Sequence, residues 1–296
     1  MNKEIFIRMS SWSQLFFLCL FSFSGLVIAA VLTVVIGQST GTLGSLDFMK
    51  VMQVVQVVLI FLIPSLLCAH LFHKSAPRFL KINKPIDVKF LLLSILLIFA
   101  IQPLIAFTGH YNSMITLPES LAGIEKMMKM MEEQAQVLIE KMLTTDSVII
   151  LLINLFVIAI TAGVTEEFFF RGSMQQTIRK ICKNGHVAVW ITAFIFSFIH
   201  FQFYGFVPRL LLGALLGYIF LWSGNLWIAV IVHAINNTIA VLTFHFFHNT
   251  PMYEKLENFG VGNTIWATVV SIILTGTILA ILSREYQKNN PQDFTI

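Results

Sequence analysis

The sequence predicts an all-α protein, a polytopic bundle of about eight transmembrane helices, and three observations carry that prediction. Of the 296 residues, 57% are hydrophobic and only 11% charged, where a soluble domain carries about a quarter charged residues. The mean hydropathy is +0.82. The apolar residues also gather into runs of bilayer length, roughly 17 to 25 residues, separated mostly by short basic stretches. Disorder is excluded as well, because it needs low hydrophobicity and high charge. With little water in the bilayer core, each run must satisfy its own backbone, so the runs are expected to be helices. The alternating period of barrel strands is absent.

The expected spans cover 14–36, 51–73, 88–108, 147–170, 186–203, 206–222, 225–247 and 264–283. Lys3 and Arg8 precede the first. Its apolar run is too long for a signal-peptide core and lacks a small-x-small cleavage site, so it is expected to be retained. Lys74, Arg78, Lys81, Lys84 and Lys89 fill the second connection. The third, 109–146, is the long one. Between Pro118 and Leu143 it mixes Met and Leu with Glu125, Lys126, Lys129, Glu132, Glu133, Glu140 and Lys141. This reads as an amphipathic helix on the outer face, either lying on the membrane surface or serving as a solvated connector.

The fourth connection, 171–185, is again basic, with Arg171, Arg179, Lys180 and Lys183. On the sixth span Gly213 and Gly217, preceded by Gly205, predict close helix packing. Trp222 and Trp227 suit the interfacial belt. With Lys3, Arg8, Arg284 and Lys288 at the ends, 13 of the 19 Lys and Arg residues fall on the side of the two chain ends. Lys50, Lys126, Lys129, Lys141, Arg209 and Lys255 fall on the other. Both termini are therefore expected in the cytoplasm. The net charge of +4 then belongs to loops, and no nucleic-acid partner is expected, since no basic patch with interleaved aromatics occurs. Cys19, Cys68 and Cys182 lie far apart without metal or redox spacing. The organisation expected is an N-terminal part, 1–146, of spans and outer connector; a core, 147–247; and a last span with a cytoplasmic tail, 248–296.

Ionisable groups inside spans are expensive, so they are candidates for function. They concentrate in the second half: Thr165-Glu166-Glu167-Phe168-Phe169-Phe170-Arg171-Gly172, then Phe196-Ser197-Phe198-Ile199-His200, then His233-Ala234-Ile235-Asn236-Asn237. Glu167 and Arg171 stand four apart and share a helix face, leaving Glu166 free to face a cavity as a general base toward water. A helix-end salt bridge with Glu166 merely hydrated would account for the same residues. His233 and Asn237 are one turn apart, and both side chains are plausible donors to a developing oxyanion. One acid, two histidines and one amide suffice for peptide hydrolysis, with water polarised by Glu166 and His200. The same Glu166, His200 and His233 would instead suit a zinc ion, although the HExxH pattern is absent. A proton-coupled transporter using buried Glu and His as a relay is a further reading.

The ordered set Glu-Glu-xxx-Arg, Phe-xxx-His and His-xxx-Asn, on three spans of residues 147–247, resembles the CPBP family of intramembrane proteases. That family contains the type II CAAX prenyl endopeptidases and the bacterial Abi-type bacteriocin-immunity proteins. The resemblance implies a CPBP-like catalytic core at 147–247 in which Glu166 and His200 activate water, and His233 and Asn237 form the oxyanion hole. Glu167 and Arg171 are supporting residues of the same motif. It implies a membrane-associated peptide or protein as substrate and a bacterial plasma-membrane location. It is compatible with a metalloprotease, holding zinc on Glu166, His200 and His233, and with a metal-free glutamate-dependent protease. A non-catalytic immunity or scaffold protein of the same fold is the alternative it carries.

Overall fold

The computed structural model describes residues 3–289; the last seven residues of the expected cytoplasmic tail lie outside the described residues. The described chain is helical: α1 Lys3–Ile7, α2 Ser11–Thr40, α3 Leu46–Phe72, α4 Ala76–Phe79, α5 Val88–Ser113, α6 Ala122–Leu143, α7 Val148–Cys182, α8 Gly185–Phe198, α9 Phe206–Ser223, α10 Leu226–Phe247, α11 Pro251–Glu257 and α12 Ile265–Asn289. Polar residues start many of them by accepting the otherwise orphaned first N–H groups. Ser10 does so from Ser13 N, Asp87 from Phe90 N, Asn184 from His186 N and Val187 N, and Asn225 from Trp227 N. Gly41 and Gly224 end α2 and α9 in the left-handed region, at φ of 66° and 59°, where a side chain would be strained.

Among the described residues, seven helices are long and apolar enough to cross a membrane, namely α2, α3, α5, α7, α9, α10 and the segment Gly262–Lys288 that includes most of α12. Large apolar side chains such as Phe16, Phe23, Val31, Ile149, Leu152 and Ile273 are exposed on them, which is stable only against lipid. The chain is an integral membrane protein. The fifth expected span, 186–203, differs. It is the shorter apolar helix α8, which stops at Phe198 and turns back through 199–205 into α9. Its 14 residues rise about 21 Å, less than the hydrocarbon layer of about 30 Å.

The fourth span is also corrected. It does not end at residue 170 but runs as 35 residues to Cys182. The apolar run breaks at Arg171, yet this arginine is fully buried and paired with Glu167, so its charge does not force the helix into water. Arg171 therefore leaves the set of loop charges. Lys183, at φ 55°, then reverses the chain into α8. Glu166 lies about 24 Å back along α7 and His200 about 22 Å forward along α8, so the two reach the same depth.

Contacts between connections distinguish the two ends of the bundle. At one end the basic 73–87 connection meets the α9–α10 turn: Lys81 O accepts from Leu226 N at 3.1 Å, and Lys84 O from Asn225 Nδ2 at 3.0 Å. Lys89 pairs with Glu285 at 3.0 Å, bringing the end of α12 there too. At the opposite end Asn112 ties α5 to the α8–α9 turn, donating to Phe203 O at 3.0 Å and accepting from Val207 N at 2.7 Å.

The three consecutive phenylalanines of α7 hold the two halves together. Phe168 enters the core formed by α5, α9, α10 and α12 and meets Trp227 edge-on at 5.8 Å. Phe169 and Phe170 enter the other cluster, with Leu18, Cys68 and Phe72. Within the membrane these rings contribute through close dispersion packing between helices rather than through removal from water. α7 widens into π turns at Leu155–Thr161 and Phe168–Gln175, a local winding often found at functional positions. Ser65 Oγ answers the second by donating to Phe168 O at 2.6 Å. Small residues allow close approach: a Cβ on Gly163 would stand 3.1 Å from Ala234 N, and one on Gly213 3.3 Å from Ala193 Cα. The packing expected of Gly213 is thus made against α8.

α6 occupies the long third connection and reaches over the α8–α9 turn. Glu132 accepts from Tyr204 N at 3.0 Å, while Glu125 pairs with Lys129 at 2.6 Å and accepts from Leu117 N at 3.0 Å. Those two donors hold the Glu125 carboxyl below the usual carboxylate range. A carboxylate with a lowered folded-state pKa stabilises fully above its ordinary value and ceases to as pH falls through the lowered one. Amide exchange over 117–132 is therefore expected to lose protection below about pH 4.5. In Glu125→Gln that acid step should vanish; its persistence would assign the loosening to another group.

Candidate active site

The middle of α7 is where the helix faces of α8, α9 and α10 converge. Glu167, wholly buried, points inward, and its Oε1 accepts twice: from Arg171 Nη1 at 2.5 Å and from His233 Nδ1 at 2.8 Å. Arg171 is equally buried. Its Nη2 donates to Gly213 O at 2.8 Å, and its guanidinium stacks over the Phe196 ring at 4.9 Å. One carboxylate thereby links α7 to α10, while its cation links α7 to α8 and α9. A charge pair removed from water is tolerated only when its remaining hydrogen-bonding capacity is largely used.

Because His233 Nδ1 faces Glu167, its Nε2 faces the other way, toward Glu166 Oε2 at 3.9 Å. That spacing exceeds a direct hydrogen bond and is one that a bridging water spans. The Glu166 side chain keeps 14% exposure, and it borders a cavity of about 330 Å³. His200, Asn236, Asn237 and Arg209 line the same cavity, with Ile98, Phe196, Leu212 and Leu216 as apolar wall. His200 Nδ1 lies 2.7 Å from Phe196 O. A carbonyl only accepts, so that nitrogen carries the proton and Nε2 is left as the acceptor. Asn237 Nδ2 donates to Ile158 O at 3.2 Å, a carbonyl within the first π turn, which leaves its second N–H for a ligand.

The four residues expected at the centre, Glu166, His200, His233 and Asn237, thus border one cavity, and Glu167 and Arg171 stand directly behind it. Part of the wall escapes a reading of the sequence. Arg209, expected at the outer end of the sixth span and counted there only as an outer-side charge, lies in the first turn of α9 against the cavity; a cation within an apolar run is the available signal. Gln102, which donates to Asn236 Oδ1 at 3.2 Å, gives no signal beyond being a polar residue in a span.

Residues 148–239 match the family model described as type II CAAX prenyl endopeptidase Rce1-like. The matched stretch begins at the first residue of α7 and ends two residues past Asn237, so it contains every residue of the cluster. Over this stretch the chain is similar to the Rce1-like family. No curated protein and no solved structure matches the chain.

Whether the Rce1-like segment suits zinc depends on the donors it has free. His233 Nδ1 is committed to Glu167 and His200 Nδ1 to a backbone carbonyl, which leaves the two Nε2 atoms and the Glu166 carboxylate as the donors available. Among the described residues no group of three His, Cys, Asp or Glu side chains stands close enough to hold a metal ion. Glu166, His200 and His233 share a cavity without converging on one point, so the arrangement does not fit a tetrahedral zinc with three protein ligands. What the Rce1-like cluster offers is a carboxylate at the cavity wall, two imidazoles with a ring nitrogen toward it, and one amide donor.

Proposed function

We propose that this protein is an intramembrane endopeptidase that hydrolyses a peptide bond of a membrane-associated peptide or protein. The observation that carries the reading is Glu166 at the wall of a cavity bordered also by His200, His233 and Asn237. In this reading Glu166 and His200 Nε2 hold a water between them. Glu166 takes its proton as the oxygen attacks the scissile carbonyl carbon. The oxygen of the tetrahedral intermediate accepts from Asn237 Nδ2–H and from His233 when Nε2 carries a proton. Collapse breaks the C–N bond, and the proton held on Glu166 passes to the leaving amine. Glu167 is a positioning residue, fixing the His233 ring through Nδ1, and Arg171 balances its charge.

The segment 147–247 is then the catalytic core, between N-terminal spans (1–146) and a last span with its tail (248–296). We count α8 as an eighth pass that stops short in the layer, and α6 as an amphipathic helix on the outer surface. Exposed Ile124, Met127, Met130 and Met131 support that placement. Both termini lie in the cytoplasm of a bacterial plasma membrane, on the basic end of the bundle. A second groove, lined by Pro103, Ile105, Ile239, Tyr253 and Phe259, shares Leu212 and Asn236 with the cavity. It gives an apolar substrate segment a path to Glu166.

The test reconstitutes the purified chain in lipid vesicles with single-span peptides and identifies the new carboxyl end by mass spectrometry in ¹⁸O-labelled water. Cleavage with one labelled oxygen at the new end is expected, and 1,10-phenanthroline should leave its rate unchanged. Loss of activity with the chelator, restored by zinc, would overturn the metal-free assignment. Absence of cleavage of any membrane peptide would overturn the enzymatic one.

A further inference from the structure

The proposed hydrolysis uses Glu166, His200, His233 and Asn237, but it leaves one cavity cation without a task. Arg209 sits in the first turn of α9, and its guanidinium borders the same cavity as Glu166. It is positioned with care. Gln202 Oε1, from the α8–α9 turn, accepts from Nη2. The backbone of that turn is in turn held by Glu132, through Tyr204 N, and by Asn112. Gly205 leaves the space the head group occupies, since a Cβ there would lie 3.2 Å from Arg209 Nη2. The remaining head-group nitrogen Nη1 is buried without a hydrogen-bond partner.

Such an arrangement is wasteful for a purely structural arginine. Gln202 is neutral, so the one side chain bonded to the guanidinium does not balance its charge. Glu166 and Glu132 act on Arg209 only through their fields. By contrast, Arg171, the structural cation of the cluster, has a carboxylate, a carbonyl and an aromatic face against it. A guanidinium that borders a cavity with no carboxylate bonded to it is suited to a planar anion, which its fork can meet in charge-assisted hydrogen bonds.

We propose that Arg209 is a substrate-binding residue that holds a carboxylate of the peptide while Glu166 acts on a nearby bond. That carboxylate is either the free end of the substrate chain or an Asp or Glu side chain beside the scissile bond. Arg209 thereby selects which peptides are cut and in what register, without touching the reacting atoms. The subsite rests on the peptidase reading above, and its test reads binding alone, so failure of either is told apart from failure of the other.

The probes are three N-dodecanoyl peptides: tri-alanine with a free carboxylate, its C-terminal amide, and an amide-capped Ala-Glu-Ala. Their dissociation constants are measured on the full chain in nanodiscs, in a Glu166→Gln background that does not turn them over. The free acid is expected to bind about tenfold or more tightly than the amide, the scale of a charge-assisted hydrogen bond. Arg209→Gln should remove that preference, and Arg209→Lys should restore part of it, at unchanged thermal denaturation. If Ala-Glu-Ala amide matches the acid, a side-chain carboxylate serves; if it matches the amide, the subsite takes the chain end. Equal binding of acid and amide, a preference that survives Arg209→Gln, or no saturable binding by any probe would overturn the proposal.

Discussion

Glu166→Gln is expected to reduce peptide cleavage by about 10³-fold or more, the scale of losing a group that serves first as base and then as acid. The substitution is nearly isosteric, and it leaves the Glu167–Arg171–His233 cluster behind it untouched. The new carboxamide still fills the cavity wall and still hydrogen-bonds, but it accepts no proton from water. Thermal denaturation in detergent should therefore shift little while turnover disappears. The comparison that matters is His200→Gln. This removes one end of the water-holding pair but leaves the carboxylate, so a smaller loss is expected, roughly 10²-fold at the low end of acid–base contributions. A Glu166→Gln chain that cleaves at the wild-type rate would sink the mechanism. It would leave a peptidase whose water is activated by a group other than Glu166.

Much of this is legible from residue types alone. Seven of the spans are runs of apolar side chains that hydropathy finds without help, and the three polar motifs stand out because charge in lipid is costly. What escapes has a common physical cause: long-range pairing changes what a local pattern means. Arg171 looks like a helix end because an unpaired arginine belongs in water. Glu167, one turn away, and Gly213 O, on another helix, remove that demand, and α7 continues for eleven more residues. The partnership of Glu167 with His233 spans 66 positions in sequence, beyond any helical period. The π turns leave no periodic trace at all. Arg209 reads as an outer-side charge at the end of the sixth span, and only the pairing of the α8–α9 turn with its neighbours brings it to the cavity.

The same pairing makes Arg171→Ala the substitution with the largest expected effect on stability. It would leave the Glu167 carboxylate, with no exposure to solvent, facing His233 alone, and breaking one side of a buried pair costs about 3–5 kcal/mol. Arg171→Lys should rescue only part, because an ammonium lacks the planar fork that serves Glu167 and Gly213 O while stacking on Phe196. Removing both charges with Glu167→Leu and Arg171→Met should be milder than Arg171→Ala, since no uncompensated charge is left in the core. A double-mutant cycle in thermal or denaturant unfolding measures that coupling. Stability and activity should then part company. The doubly substituted chain offers His233 Nδ1 no acceptor, so the ring is free to turn and its Nε2 no longer faces Glu166. Turnover should stay about 10-fold or more below wild type in a well-folded protein, on the scale of losing an orienting partner. Full activity in that variant would mean the buried ion pair serves the fold alone, and that His233 is held in place by packing rather than by Glu167.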